Sequence, residues 1–259
     1  MGEMNENYHS KQWALIYDQF NQGRYQKELA FYRAELRQCA GPVLEVACGN
    51  GMIFLELLQE GFDIYGFDIS QEMLDSLFSK AAALGQQEVR ARVSRQNMVD
   101  FSYDLKFGGI YIPARSFLHL LSQDEQIQCL RNIYAHLREG GKLLLNFFNP
   151  GLQHLLANAG PAEQFEFIKE FTNPETGESI RLFCKQENDV VRQEQHILWR
   201  FSEGDHAHDV PMRLRWIYKE EFQLLLRLAG FKKWKVYGDF DRAEEVIEGS
   251  ELIWVAERT

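Results

Sequence analysis

Between residues 43 and 148, short apolar runs alternate with amphipathic stretches of helical period, and this alternation restricts the fold more than any other feature of the chain. Val43-Leu44-Glu45-Val46 has a strand pattern, and Phe54, Leu57 and Leu58 make a helical face behind it. Asp63 to Phe67 reads as a second strand. Ser70 is a plausible N-cap for a helix presenting Met73, Leu74, Leu77, Phe78 and Ala81. Val89–Val93 and Gly109–Ile112 are the next expected strands. The capping box Ser122-x-x-Glu125 opens a third long helix carrying Ile127, Leu130, Tyr134 and Leu137, expected to close at Gly140-Gly141 before a fifth strand over Lys142–Phe148. Strands separated by helices of this length imply a parallel sheet covered on both faces.

The flanks have other periods. Residues 10 to 38 are helical in pattern, with Trp13, Ile16, Tyr17 and Phe20, then Leu29, Tyr32 and Leu36 after a break at Gln22-Gly23. After residue 150 the period becomes two: Ile180, Leu182, Cys184; Ile197, Trp199, Phe201; Met212, Leu214, Trp216, Tyr218. These predict an antiparallel meander, with Glu187-Asn188-Asp189 read as a turn. Phe222, Leu225, Leu226 and Ala229 form a helix ended by Gly230, and strands follow at Phe231–Tyr237 and Leu252–Ala256. The expected organisation is a helical lid (1–40), an α/β core (41–149 and 219–259) and an antiparallel insertion (150–218). The insertion would serve as a substrate wall or dimer contact, and its exposed edge could pair two subunits.

Composition narrows the partners. With 28 Lys+Arg against 38 Asp+Glu among 259 residues, the net charge of −10 disfavours nucleic acid, whose affinity comes from clustered cations. Cys39, Cys48, Cys129 and Cys184 have no metal or disulfide spacing, and no metal site is expected; His206 and His208 read as exposed hairpin residues. An apolar leader and an apolar run long enough to cross a bilayer are both missing from the sequence, so the expected setting is cytoplasmic, with no membrane partner.

The strongest local signal is Glu45-Val46-Ala47-Cys48-Gly49-Asn50-Gly51, a small-residue loop running from the first strand into the first helix, where ligands bind in open α/β sheets. Phe54 stands where a dinucleotide fingerprint wants a third small residue, so a pyrophosphate is poorly served. Asp68, at the end of the second strand, is placed to accept hydrogen bonds from ribose hydroxyls. A nucleoside without a pyrophosphate suits both observations better than NAD.

Together with Trp13–Asp18, Gly66–Ser70, Gln96-Asn97-Met98, Ser116–Leu121, His136–Gly141 and Tyr237–Phe240, this loop resembles the class I S-adenosylmethionine-dependent methyltransferases, in particular the small-molecule branch that includes amino-sugar N,N-dimethyltransferases. The resemblance implies a Rossmann-like fold, a seven-strand mixed sheet with helices on both faces, S-adenosyl-L-methionine as cofactor and S-adenosyl-L-homocysteine as product. It implies that the backbone at Ala47 and Gly49 lies against the methionine part, that Asp68 holds the ribose, that Ile69 and Met98 sandwich the adenine, and that Asn97 reaches its exocyclic amine. Glu45, Met73 and Gln96 complete the cofactor set, the backbone near Pro113 receives the amino group, and Tyr17 with Tyr25 closes over the top. Ala47 replaces a frequent glycine, which asks that its φ stay negative; Asn97 replaces a frequent Asp.

Methyl transfer from a sulfonium needs orientation and exclusion of water, and needs a base only when the acceptor arrives protonated. His119 is the candidate base, with Tyr237, Asp239 and Asp241 also facing the site. Arg115 is an odd neighbour for a cationic donor, so its head is expected to point at a substrate anion or an acidic partner; Arg115 and Tyr237 are the candidate substrate contacts. The expected acceptor is a small molecule, an amine slightly favoured over a hydroxyl. The alternatives are an NAD-type Rossmann oxidoreductase and a cofactor-binding regulatory protein without transferase activity.

Overall fold

The computed structural model describes residues 10–23, 25–160 and 164–259; the first nine residues of the expected lid lie outside them. Seven strands form the main sheet: β1 (Val43–Val46), β2 (Ile64–Asp68), β3 (Val93–Arg95), β4 (Phe107–Ile112), β5 (Leu137–Phe148), β10 (Lys233–Tyr237) and β11 (Glu251–Glu257). Their order is β10-β11-β5-β4-β1-β2-β3. β1 to β5 are parallel, while β11 runs antiparallel to both β5 and β10. The order reverses between β1 and β4, so the crevice at the carboxyl ends of these strands is the topological switch point.

Both faces are covered because each strand alternates its apolar side chains. Tyr111, Leu144 and Ile253 face α2 (Gln26–Leu36), α3 (Phe54–Gln59) and α4 (Gln71–Ala83). Ile110, Ile112, Leu143, Leu145 and Trp254 face α6 (Gln123–His136) and α8 (Lys219–Ala229). The start signals hold: Met73 N–H donates to Ser70 Oγ at 3.2 Å, and the Ser122/Glu125 capping box is present in both directions. Gly108 sets the approach of the chain that enters β1, since a Cβ there would lie 2.0 Å from the Ala40 carbonyl oxygen.

Several expected boundaries move. Val89–Val93 is not a strand: Val89–Arg92 is a helical turn, α5, and only Val93–Arg95 joins the sheet. Arg92 reaches Asp63 at 2.6 Å and Arg90 covers the Phe78 ring, so the apparent alternation comes from two surface arginines lying between the buried Val89 and Val93. Likewise α6 ends at His136 instead of Gly140-Gly141, because Leu137 has already turned to extended backbone. Gly140 lies inside β5 with φ 73°, its N–H donating to the Arg258 carbonyl at 2.8 Å.

The insertion opens with α7 (Leu152–Ala157) and forms a separate antiparallel sheet, β6 (Glu166–Thr172), β7 (Ser179–Asp189), β8 (Glu194–Glu203) and β9 (His206–Arg215). Asn188 is buried inside β7 with its Nδ2 on the Leu155 carbonyl, so the turn falls after Asp189 and not at 187–189. β9 stops at Arg215, and Tyr218 is the N-cap position of α8 instead of a strand residue. His206 and His208 are exposed.

α1 (Lys11–Asn21) packs between this second sheet and the core. Trp13 sits edge-on to Trp199 and Phe201, each at 5.3 Å, while Trp13 and Ile16 also touch the cluster containing Met73 of α4. The Gln19 side chain pairs with both backbone groups of Thr172 on β6 at 2.7 and 3.2 Å. Among the described residues no helix is long and apolar enough to cross a membrane.

Candidate active site

The glycine loop leaves β1 with three left-handed residues: Ala47 at φ 58°, Gly49 at 52° and Gly51 at 79°. The expectation of a negative φ at Ala47 is corrected. The turn needs that conformation even without glycine, which an L-residue adopts at a cost of about 1 kcal/mol. Such strain concentrates at functional sites when the surroundings hold it in place. The hold comes from Asp68. Its Oδ2 accepts from the Gly49 N–H at 2.8 Å and its Oδ1 from the Ser70 N–H at 2.9 Å, tying the loop to the start of α4.

A Cβ at Gly49 would meet nothing within 4 Å, so the space in front of the loop is open to a ligand. Beside it, the Asn50 Oδ1 is buried and has no partner among the described residues, while its Nδ2 donates to Asp18 of α1 at 2.9 Å. Lys80 also holds Asp18, at 3.0 Å, so α1 is anchored over the loop next to Tyr17. An open glycine surface with an orphaned acceptor and a carboxylate at the end of β2 fits a nucleoside. Phe54 is fully buried with its ring 3.0 Å from where a Cβ of Gly66 would stand, which fills the third position of a dinucleotide loop.

The other expected cofactor residues gather on this side. The Gln96 N–H donates to the Asp68 carbonyl at 3.1 Å, and its side chain bridges Ser94 and the Ser102 N–H. Ile69 gives its carbonyl to Arg95 Nε at 2.9 Å, Asn97 Oδ1 accepts from the Val99 N–H at 3.0 Å, and Met98 is half-buried against the core. Met73 is buried under α1. Tyr25 stands half-buried at the start of α2, its phenol pushed up by burial and by Glu56 and Asp18.

Across the switch point the groups differ. Glu45 is buried and accepts from the Tyr111 hydroxyl; burial holds its carboxyl well above the usual range. The loop after β4 contains two successive left-handed residues, Ala114 (φ 55°) and Arg115 (φ 62°). The Pro113 carbonyl accepts from the Ser116 N–H and Oγ at 3.0 and 2.8 Å. Arg115 finds an acidic partner within the chain: its Nε and Nη2 grip Glu251 of β11, the closest pair at 2.6 Å, with its guanidinium over the Phe148 ring.

Four residues here were not anticipated. Glu28 of α2, 9% exposed, accepts from the Ala114 N–H at 2.7 Å. Tyr32 donates to Asn146 Oδ1 at 2.7 Å, and Asn146 Nδ2 donates to Glu251 at 2.8 Å. The chain from Glu28 through Ala114, Arg115, Glu251 and Asn146 to Tyr32 therefore begins and ends on α2. Its sequence signal is a glutamate four residues before Tyr32, beside Leu29 on the apolar face. Burial pushes Glu28 up to about 7, Ala114 and Arg115 opposing and Glu251 adding to the rise.

His119 lies in a 3-10 turn (Ser116–His119), where burial lowers its imidazole to about 4, opposed by a hydrogen bond to the Arg213 backbone of β9. Tyr237 is half-buried, edge-on to Phe31 at 6.1 Å.

Comparison with known proteins agrees with this arrangement. Residues 43–141 match the family model of a methyltransferase domain. The structure of the CcbJ methyltransferase from Streptomyces caelestis is similar at TM-score 0.73 and 26% identity, over 90% of this chain and 94% of that one. That of an S-adenosylmethionine-dependent methyltransferase from Clostridium acetobutylicum ATCC 824, 16% identical, shares the fold at TM-score 0.75 over 95% and 97%. A glycine/sarcosine N-methyltransferase of Aphanothece halophytica is 26% identical over 83% of this chain and 76% of its own length. With the glycine loop, the switch-point crevice and the β10-β11-β5-β4-β1-β2-β3 order, the chain carries a methyltransferase domain over residues 43–141 and shares the fold of S-adenosylmethionine-dependent methyltransferases.

Proposed function

We propose that this enzyme methylates the nitrogen of a small-molecule amine. The observation that carries the reading is the charge balance on the β4/β5/β11 side: Arg115 is neutralised by Glu251, which leaves the buried Glu28 beside the same loop without a cation of its own among the described residues. A wall of this sign suits an ammonium group and repels an anion. The similarity to a glycine/sarcosine N-methyltransferase supports an amine acceptor.

The β1/β2 side holds the cofactor, which supplies the methyl group. Asp68, fixed by the Gly49 and Ser70 amides at the end of β2, accepts from the ribose hydroxyls. The backbone of Ala47 and Gly49 faces the methionine portion, Ile69 and Met98 enclose the adenine, and Asn97 meets its amine; Glu45, Met73, Gln96 and Pro113 shape the pocket. α1, with Tyr17 and Tyr25, covers the crevice as a lid, and the second sheet walls off the acceptor. β6, exposed except at Phe171, offers an outer edge to a second copy.

Incubation with S-adenosylmethionine and a panel of glycine, sarcosine, glucosamine, catechol and benzoate tests the reading by mass spectrometry. It expects one or more methyl groups on a nitrogen acceptor. Methylation confined to catechol or benzoate would sink it.

A further inference from the structure

We propose that Glu28 is the catalytic base: it takes the proton that an ammonium acceptor loses before its nitrogen is methylated. This rests on the amine reading above. Glu28 projects from α2 to the loop after β4, at the carboxyl edge of the sheet where the switch point opens. One oxygen is fixed by the Ala114 N–H, and the other has no partner among the described residues. The Ala114–Arg115 loop is held in turn by Glu251, Asn146 and Tyr32, so the carboxylate is presented from a rigid support.

The neighbouring groups are committed elsewhere. Glu45 accepts from Tyr111, and burial holds its carboxyl well above the usual range. Glu251 is occupied by Arg115 and Asn146, and Asp68 by two backbone amides. His119 is tied to Arg213 and too weak a base to hold a proton at neutral pH. The charged and titratable groups facing Glu28 are Arg115 from the β4 loop, Glu251 from β11, Glu45 from β1 and Tyr32 from its own helix. Burial above all, then Glu251, against the Ala114 N–H and Arg115, pushes Glu28 up to about 7, where a base is both ionised and strong enough to accept a proton.

In the step, the acceptor R–NH3+ hands one proton to the Glu28 carboxylate. The freed nitrogen lone pair forms the new N–C bond as the C–S bond breaks, and its electron pair stays on sulfur, turning the sulfonium into a neutral thioether. The product leaves as R–NH2–CH3+, and Glu28 returns its proton to solvent.

The test compares the full-length wild type with Glu28→Gln, which keeps a carbonyl oxygen for the Ala114 N–H. With sarcosine, glycine or glucosamine as acceptor, wild-type kcat/KM should rise with pH through about 7. The variant should be roughly 100-fold slower at neutral pH, with the gap closing at alkaline pH as free amine accumulates. Its affinity for S-adenosylhomocysteine by calorimetry should stay within about twofold, which also reports that it is folded. Carbon-13 carboxyl NMR should show a glutamate titrating near 7 that is missing in Glu28→Gln. Equal rates for the two proteins at neutral pH overturn the assignment and leave the amine reading standing, as does a Glu28 resonance in the ordinary carboxylate range. A wild type that methylates none of these amines sinks the amine reading, and the base with it.

Discussion

On the β1/β2 side of the site, the groups that face a ligand are largely backbone, fixed by contacts within short stretches of chain: Gly49 to Asp68, Asp68 to Ser70, Gln96 to Asp68. On the β4/β5/β11 side they are side chains drawn from distant segments, with Glu28 and Ala114 86 residues apart and Arg115 and Glu251 136 apart. The first side presents left-handed turns whose amides are tied down within the chain, a rigid surface that suits a constant ligand. The second is a linked set of side-chain charges, the side to which we assign the acceptor. Substitutions on the two sides should therefore separate cofactor affinity from acceptor chemistry.

The largest expected effect is on stability and comes from the acceptor side. The folded pKa of Glu28 lies above the unfolded value, so the native state binds more protons between them, and stability falls as pH rises from about 4.5 to about 7. At pH 8 Glu28→Gln should be more stable than the wild type by on the order of 3 kcal/mol, with the gain vanishing towards pH 4. Thermal unfolding across that range checks this, and a gain independent of pH would contradict it. A variant that is more stable but slower is the signature expected of a functional carboxylate held in a costly environment.

Next in size, Asp68→Ala removes a charged acceptor from two loop amides. On the proposed ribose assignment it should weaken S-adenosylhomocysteine binding by about 10–100-fold, as hydrogen bonds to charged groups are worth about 1.5–3 kcal/mol. Asn146→Ala frees Tyr32 and Glu251 from each other; it should cost about 1–2 kcal/mol in stability and raise the acceptor KM, with cofactor affinity unchanged. Urea unfolding and initial rates measure the two arms, and an equal loss of cofactor affinity would blur the distinction between the sides. Smallest is Ala47→Gly. Relief of the left-handed strain, offset by the larger chain entropy of glycine, should raise the melting temperature by about 2–4 °C at most.

How much could be read in advance follows the same division. The sheet, both helix starts at Ser70 and Ser122, and the loop-plus-Asp68 constellation were legible because each is local: an apolar period, a cap three residues long, a small-residue turn. Val89–Val93 misled because two-residue alternation over so short a span also arises when surface arginines lie between two buried valines on a single helical turn. The αL geometry of Ala47 was hidden because the requirement belongs to the turn, and alanine can be forced into it. Glu28, Asn146 and Glu251 went unseen because their meaning lies in one another, and nothing short-range in the chain links them. Arg115 was visible as an anomaly, but its partner lay on the far antiparallel strand.

The separation of the two sides is tested most directly by calorimetric titration of S-adenosylhomocysteine into wild type, Asp68→Ala and Glu28→Gln side by side. The expected result is a dissociation constant raised at least about tenfold for Asp68→Ala and unchanged within about twofold for Glu28→Gln. Comparable weakening by both substitutions, or by Glu28→Gln alone, would contradict the division of the site into a cofactor side and an acceptor side.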